Sequence, residues 1–381
     1  MNEILFQITA DHLETGIKGF PIGYCITSFM DSEKGLFYRG RPISSLATLT
    51  PEEIIYLLYF GFLPNREELL AFTKELKKRN SLSQAVVKLI RSLPTFVPPT
   101  KLFASALLFL GMIESCENYR EDCLNLIAKL PHLVAEVINH HAGWGMASIK
   151  EEGLSYLNNL LYNLQLPRGD KNILEKVFHI YTLSYYDEGG GDLPTFIGKA
   201  VASSLEDMYG SVAAAICSIA GSKTEETCNK SLEFLQEILF SLGDDITRET
   251  LYAFLEKRYQ SDPLFPGFET PQKEDARATL FYNLAENIFS DHPLLKIGLL
   301  LRTMVPEIME KNDAIPLYPS SAAISYSLLQ AAGFPYIEYY PILFGMARLI
   351  GMSIQIVYER CEALQRRGTP MLQPKYLYKK G

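Results

Sequence analysis

Helix starts are written into this chain so completely that they constrain its fold more than any other feature. Thr50-Pro51-Glu52-Glu53 offers an N-cap hydroxyl, proline at the first helical position, and a glutamate placed to close a capping box. Ile54, Ile55, Leu57, Leu58 and Phe60 follow, and Gly61 and Pro64 stop the helix. Asn65 opens a second helix, with Glu67 and Glu68 in its first turn and Leu69, Phe72 and Leu76 along one stripe. Val86, Val87, Leu89, Ile90 and Leu93 repeat the pattern before a loop. The periodicity predicts further helices at about 103–116, 131–140, 154–164 and 173–185. Strand signals are thin: only 25–29 and 35–39, around Asp31-Ser32-Glu33-Lys34, read as a hairpin. The expectation is an all-α chain with one small N-terminal β-hairpin. It has no internal repeat, no low-complexity tract and no Gly/Ser linker.

With 381 residues, 48% of them hydrophobic, the chain can bury a large core and suits two domains better than one. A net charge of −8 argues against a nucleic-acid partner, which needs clustered cations on one face. The short basic run Lys74, Lys77, Lys78 and Arg79 sits late in a predicted helix, where cations complement the negative end. Cys25, Cys116, Cys123, Cys217, Cys228 and Cys361 form no CxxC pair and read as reduced core thiols, not a zinc site. No basic, apolar secretory leader is visible in the first residues, and the apolar stretch 102–113 is too short to span a bilayer. A cytoplasmic protein without a membrane partner is expected.

Several segments, taken together, resemble one family. "EKGLFYRGRPISSLA" (33–47) and "EEIIYLLYFGFLPNREEL" (52–69) resemble the N-terminal signature of citrate synthases. "TFIGKAVASSLEDMYGSVAAAICSIAG" (195–221) is similar to the long helix before the family's first catalytic loop. "DARA" (275–278), "AAGFP" (331–335) and "FGMARLIGMSIQIVYE" (344–359) match later segments in the right order. The resemblance implies a large domain of 1–224 and 331–381 and a small domain of 225–330. It also implies a homodimer and condensation of acetyl-CoA with oxaloacetate. No cofactor is implied, and acetyl-CoA is a co-substrate only if activity remains. The family's chemistry uses an Asp as base, one His on the thioester oxygen and a second on the ketone; arginines and a further His hold the dicarboxylate. These are the roles such a reaction needs: a positioned base, and donors aimed at developing negative charge.

At the catalytic positions the sequence departs from the family. In "GSKTEETCN" (221–229) Thr224 stands where the thioester-polarising His belongs, and Thr224-Glu225-Glu226 reads as an N-cap followed by acids. "GFETPQ" (267–272) leaves Thr270 at the second His, and "PSSA" (319–322) puts Ala322 at the base. Glu188 replaces the substrate-binding His in "DEGGGD" (187–192), and Gln373 stands at the arginine that the partner subunit supplies. Arg277 and Arg348 survive, either as carboxylate binders or as structural ion-pair residues. Losing one oxyanion donor costs roughly 10²–10³ in rate. A carboxylate at 188 beside a bound dianion adds repulsion of several kcal/mol. The expectation is therefore either weak binding of a monoanion or an internal pair between Glu188 and one of these arginines that closes the site to dicarboxylates.

The other conspicuous residues have plainer readings. His140 and His141 are adjacent, so in a helix they point about 100° apart, which suits a helix end better than a metal. His179 reads as a core histidine and His292 as a helix-start residue. Asp187 to Gly191 lacks the lysine and the preceding strand of a phosphate loop, and its glycines suit close approach of a ligand or a helix. Three functions stay open. The first is a non-catalytic binding or regulatory relative, pairing with itself or with an active citrate synthase and retaining affinity for small carboxylates or CoA. The second is a different enzyme in the same cleft, with Glu188 or Glu269 as acid or base. The third is residual citrate synthase activity.

Overall fold

The computed structural model describes residues 4–16, 19–147, 154–167, 169–221, 223–243, 246–270, 274–363, 375 and 377–378. After one turn of helix, α1 (His12–Thr15), an antiparallel sheet forms from β1 (Ser28–Asp31), β2 (Gly35–Tyr38) and β3 (Arg41–Pro42). Asp31 closes the hairpin by accepting the Glu33 and Lys34 N–H groups at 2.9 and 2.8 Å. Phe29 pairs with Phe37 in register, and their rings stack at 4.7 Å. The first strand begins at Ser28, later than the sequence pattern suggested. Thr27 and Ser28 are buried there and carry hydroxyls toward the cleft described below.

Both capping boxes form as read. In α2 (Pro51–Phe60) Thr50 and Glu53 satisfy each other's backbone N–H groups, and in α3 (Arg66–Arg79) Asn65 and Glu68 do the same. Next come α4 (Gln84–Arg91), α5 (Pro99–Glu114), α6 (Tyr119–Ala142), α7 (Tyr156–Asn163) and α8 (Lys171–Tyr185). Helix α6 corrects an expectation, because it starts at Tyr119 and runs straight through Pro131. Proline there has no N–H for the carbonyl four residues back. The Tyr156 hydroxyl donates to that Ile127 oxygen at 2.8 Å, so the interruption leaves no buried acceptor empty.

The remainder comprises α9 (Leu193–Ser203), α10 (Met208–Ile219), α11 (Lys223–Leu242), α12 (Arg248–Ser261), β4 (Phe268–Glu269), α13 (Ala276–Ile288), α14 (Pro293–Lys311), β5 (Tyr318–Pro319), α15 (Ser325–Ala331) and α16 (Tyr340–Cys361). Helix α11 begins at Lys223, so Thr224 lies inside its first turn and is not the N-cap. Helix α16 packs on α6, α8, α9 and α10 at the centre of the core. By composition the stretch Ile337–Cys361 is long and apolar enough to cross a membrane, unlike 102–113. Yet 94% of its most apolar window is buried inside the protein, the signature of a core helix apolar on all faces. Cys123 and Cys228 are buried core thiols as expected, whereas Cys116 and Cys217 are exposed, and none of the six cysteines is in a disulfide.

Candidate functional site

The site is built where the end of α8 meets α16. Gly351 donates its N–H to the Tyr186 carbonyl at 3.1 Å, and a methyl group at 351 would collide with that carbonyl and with Asp187. This close approach brings Arg348, one turn earlier on α16, beside the turn 187–192. Asp187 is wholly buried and accepts hydrogen bonds from the Thr27 hydroxyl, from Gln355 Nε2 at 2.7 Å and from the Glu188 N–H at 2.8 Å. Burial pushes its carboxyl up, while the Thr27 hydrogen bond and the Arg348 charge pull against that rise. Tyr38, also wholly buried, donates to the Leu183 carbonyl at 2.7 Å and accepts from the Asp187 N–H at 3.2 Å.

Glu188 joins the two arginines. Its Oε1 accepts from Arg277 Nη1 at 2.9 Å, and its Oε2 accepts from Arg348 Nη2 at 2.8 Å. Burial pushes this carboxyl up, but the charges of Arg277 and Arg348 and their hydrogen bonds outweigh it and hold it at about 2. Arg277 is gripped from the other side by Asp275, the N-cap of α13, with Nη2 to Oδ2 at 2.7 Å and Nε to Oδ2 at 3.0 Å. Arg348 is completely buried, with Asp192 Oδ1 at 3.6 Å from its Nη1 and the Phe344 ring 5.2 Å from its guanidinium. Burial disfavours its charge, and Asp192, Glu188 and Asp187 more than offset that, so it stays protonated. Among the described residues, Arg348 Nε and Nη1, Asp192 Oδ1 and Thr195 Oγ1 are buried polar atoms without a hydrogen-bond partner.

The segments that carry Thr270 and Ala322 are neighbours. Strands β4 and β5 pair antiparallel, Phe268 with Pro319 and Glu269 with Tyr318, and Ser320 N–H donates to the Gly267 carbonyl at 2.8 Å. Thr270 follows β4 and is exposed; Ala322 follows β5 in the 3-10 turn Ser321–Ala323 and is buried. Tyr185, buried at the end of α8, ties these segments to the arginines. Burial raises its phenol, Cys228 of α11 adds to the rise, and Arg277 with the Ser321 and Ser325 hydroxyls opposes it. Helix α11 thus joins the same neighbourhood, carrying Thr224 one turn before Cys228. Gln373 lies outside the described residues.

The histidine pair holds the end of α6. His140 Nε2 meets the Leu93 carbonyl at 2.8 Å, and His141 meets the Val97 carbonyl at 3.1 Å and the Tyr339 hydroxyl at 2.9 Å. His179 meets the Ala47 carbonyl at 3.0 Å, and His292 is the N-cap residue of α14. No group of three or more potential metal ligands occurs among the described residues. Sequence reasoning missed Thr27, Asp187, Asp192, Asp275 and Gln355. Asp192 and Asp275 carried a local signal, each an aspartate immediately ahead of a helix.

The model of the citrate synthase C-terminal domain matches residues 16–372. Citrate synthase, mitochondrial, of Citrus maxima is 29% identical over 97% of this chain and 83% of its own length. Citrate synthase 4, mitochondrial, of Arabidopsis thaliana is 28% identical over 94% and 81%. These names overturn the cytoplasmic expectation, which rested on the lack of a secretory leader, a test blind to an organelle address. Among solved structures, citrate synthase of Thermotoga maritima superposes with a TM-score of 0.77 at 22% identity, covering 97% of this chain and 96% of that one. A ternary complex of carboxymethyl coenzyme A and oxaloacetate with citrate synthase of Thermoplasma acidophilum superposes with a TM-score of 0.78 at 19% identity, covering 97% and 96%. The helical fold is therefore shared, and the match across nearly the whole chain establishes that this protein belongs to the citrate synthase family.

Proposed function

We propose that this protein is a non-catalytic member of the citrate synthase family, a binding or regulatory relative whose dicarboxylate site is occupied by its own Glu188. The observation that carries this reading is the pair of ion contacts from one carboxylate to Arg277 and Arg348, at 2.9 and 2.8 Å. Asp275 and Asp192 add further negative charge, so the two guanidiniums are already more than neutralised before any ligand arrives. A dianion entering here gains no net positive charge and must displace a hydrogen-bonded carboxylate. The positions of Thr224, Thr270 and Ala322 offer neither an imidazole nor a carboxylate for moving protons. Arg348 itself is completely buried, paired with Glu188 through Nη2 and facing Asp192 through Nη1, so a small anion can reach it only by displacing Glu188.

The reading includes a large domain of 1–224 and 331–381, a small domain of 225–330, and a homodimer or a heterodimer with an active citrate synthase. The family's condensation needs no cofactor; acetyl-CoA is a substrate. The decisive assay is citrate formation from acetyl-CoA and oxaloacetate by the purified protein. No turnover is expected, and a rate in the usual range of roughly 1–10³ per second would overturn the reading. Calorimetry supplies the second arm. Glu188→Gln keeps the shape, removes the internal anion, and is expected to raise oxaloacetate affinity about tenfold or more. Tight oxaloacetate binding by the unmodified chain would refute the occupied cleft. A repurposed acid is the second reading, supported by Glu269, which β4 carries exposed beside the Ala322 segment. A substrate screen in which Glu269→Gln abolishes a new activity would establish it.

A further inference from the structure

We propose that Asp187 is the positioning residue of this cleft: its buried carboxylate, fixed by Thr27 and Gln355, sets the turn that lays Glu188 across Arg277 and Arg348. The inference rests on the reading of Glu188 as the occupant of the arginine site. It follows from the direction of each hydrogen bond. Lys199 has only hydrogens to give, so the Gln355 oxygen must face it, at 3.2 Å, and the Gln355 amide nitrogen is thereby turned to Asp187 Oδ1. Lys199 is held in place by Glu359 at 2.7 Å. On the other oxygen, the single Thr27 hydroxyl hydrogen is committed to Asp187, which leaves Cys25 Sγ, 3.2 Å away, to donate to Thr27. With the Glu188 N–H as the third donor, every polar group around Asp187 gives a hydrogen, and a carboxylate meeting only donors is ionised.

The backbone follows from that anchor. The Glu188 N–H is tied to the side chain of the preceding residue, and the Gly189 N–H donates to Ser28 Oγ at 2.6 Å. Gly189 and Gly190 then take φ values of +73° and +74°, a consecutive left-handed pair that only glycine adopts cheaply. A methyl group at 190 would collide with Gln355, so the same glutamine that orients Asp187 also seats the turn. Glu188 is thus delivered to the arginines by a chain running from Glu359 through Lys199, Gln355 and Asp187, with Thr27 closing it from just ahead of β1. The ionisable groups facing this cluster are Asp187, Asp192, Asp275, Arg277, Arg348, Tyr38 and Tyr185, with Lys199, Glu359, Cys25 and Arg39 on the far side of Asp187.

The test separates positioning from general stability. Thr27→Val removes the hydroxyl donor to Asp187 while keeping the side-chain shape, and Thr27→Ser retains it. Carboxyl NMR of glutamate-labelled protein, with the Glu188 resonance identified by its loss in Glu188→Gln, reads the Glu188 titration directly. The midpoint, about 2 in the unmodified chain, is expected to rise by about one pH unit or more in Thr27→Val and to stay put in Thr27→Ser. Gln355→Met removes the other side-chain donor and gives the same rise if Thr27→Val folds poorly. Calorimetry with oxaloacetate should show an affinity gain of about tenfold for Thr27→Val alone and none when it is added to Glu188→Gln. An unmoved Glu188 titration in both donor variants, or a gain that persists without Glu188, overturns the proposal. If Glu188→Gln itself gains no oxaloacetate affinity, the occupied cleft fails, while the titration still decides the positioning role.

Discussion

Glu188 concentrates the chemistry of this cleft in one side chain. Its carboxyl moves from the ordinary 4.5 down to about 2 because two guanidiniums stabilise the charged form more than burial opposes it. A depressed carboxylate contributes stability above its unfolded pKa and loses it as pH falls through the folded value. The unmodified chain is therefore expected to be more stable than Glu188→Gln near neutrality. That advantage should fade between about pH 4.5 and pH 2, as chemical denaturation across the range will show. Tyr156 offers a second residue-level measurement. Its hydroxyl answers the carbonyl that Pro131 leaves empty, so Tyr156→Phe strands a buried acceptor and should cost about 1–3 kcal/mol in urea unfolding. Neither pairing was visible in the sequence as a contact. The Glu188 pair was expected through the family resemblance, and the Pro131 repair was not expected at all.

The helices divide by where their boundary information lies. Thr50 and Glu53, or Asn65 and Glu68, meet across three residues, so the starts of α2 and α3 are local facts that the chain states by itself. Thr50→Ala should remove the cap of α2 and cost about 1 kcal/mol without altering the fold. The periodicity starts a helix only at 131, whereas α6 begins at Tyr119, and the hydroxyl of Tyr156, from α7, satisfies the carbonyl that a mid-helix Pro131 leaves without its donor. Helix α16 shows the same dependence. Gly351 sits where the helix backbone touches the Tyr186 carbonyl, and Gly351→Ala should push α16 off the turn at a cost of about 1–3 kcal/mol. The expected signature is lowered stability together with a raised Glu188 titration, since Arg348 moves with the helix.

The whole molecule leaves apolar side chains uncovered on α5: Leu108, Met112 and Ile113 are exposed on the helix whose other face packs on α10. Such a surface is expected to be covered by a second chain. Sedimentation at micromolar concentration should give twice the mass of one chain, and Leu108→Glu with Met112→Glu should return it to one. What the sequence determined by itself was the helical class, the capped starts of α2 and α3, and the hairpin turn. These depend on residue type or on neighbours within a few positions, where the chain's own connectivity enforces contact. Tertiary structure alone decided that Thr27, Asp187 and Gln355 join Glu188, Arg277 and Arg348 in one cluster and which atom donates to which. Those contacts join four separate segments of the chain, and only the packing of α8, α13 and α16 against the hairpin sets their distances, to a fraction of an ångström that no local pattern encodes.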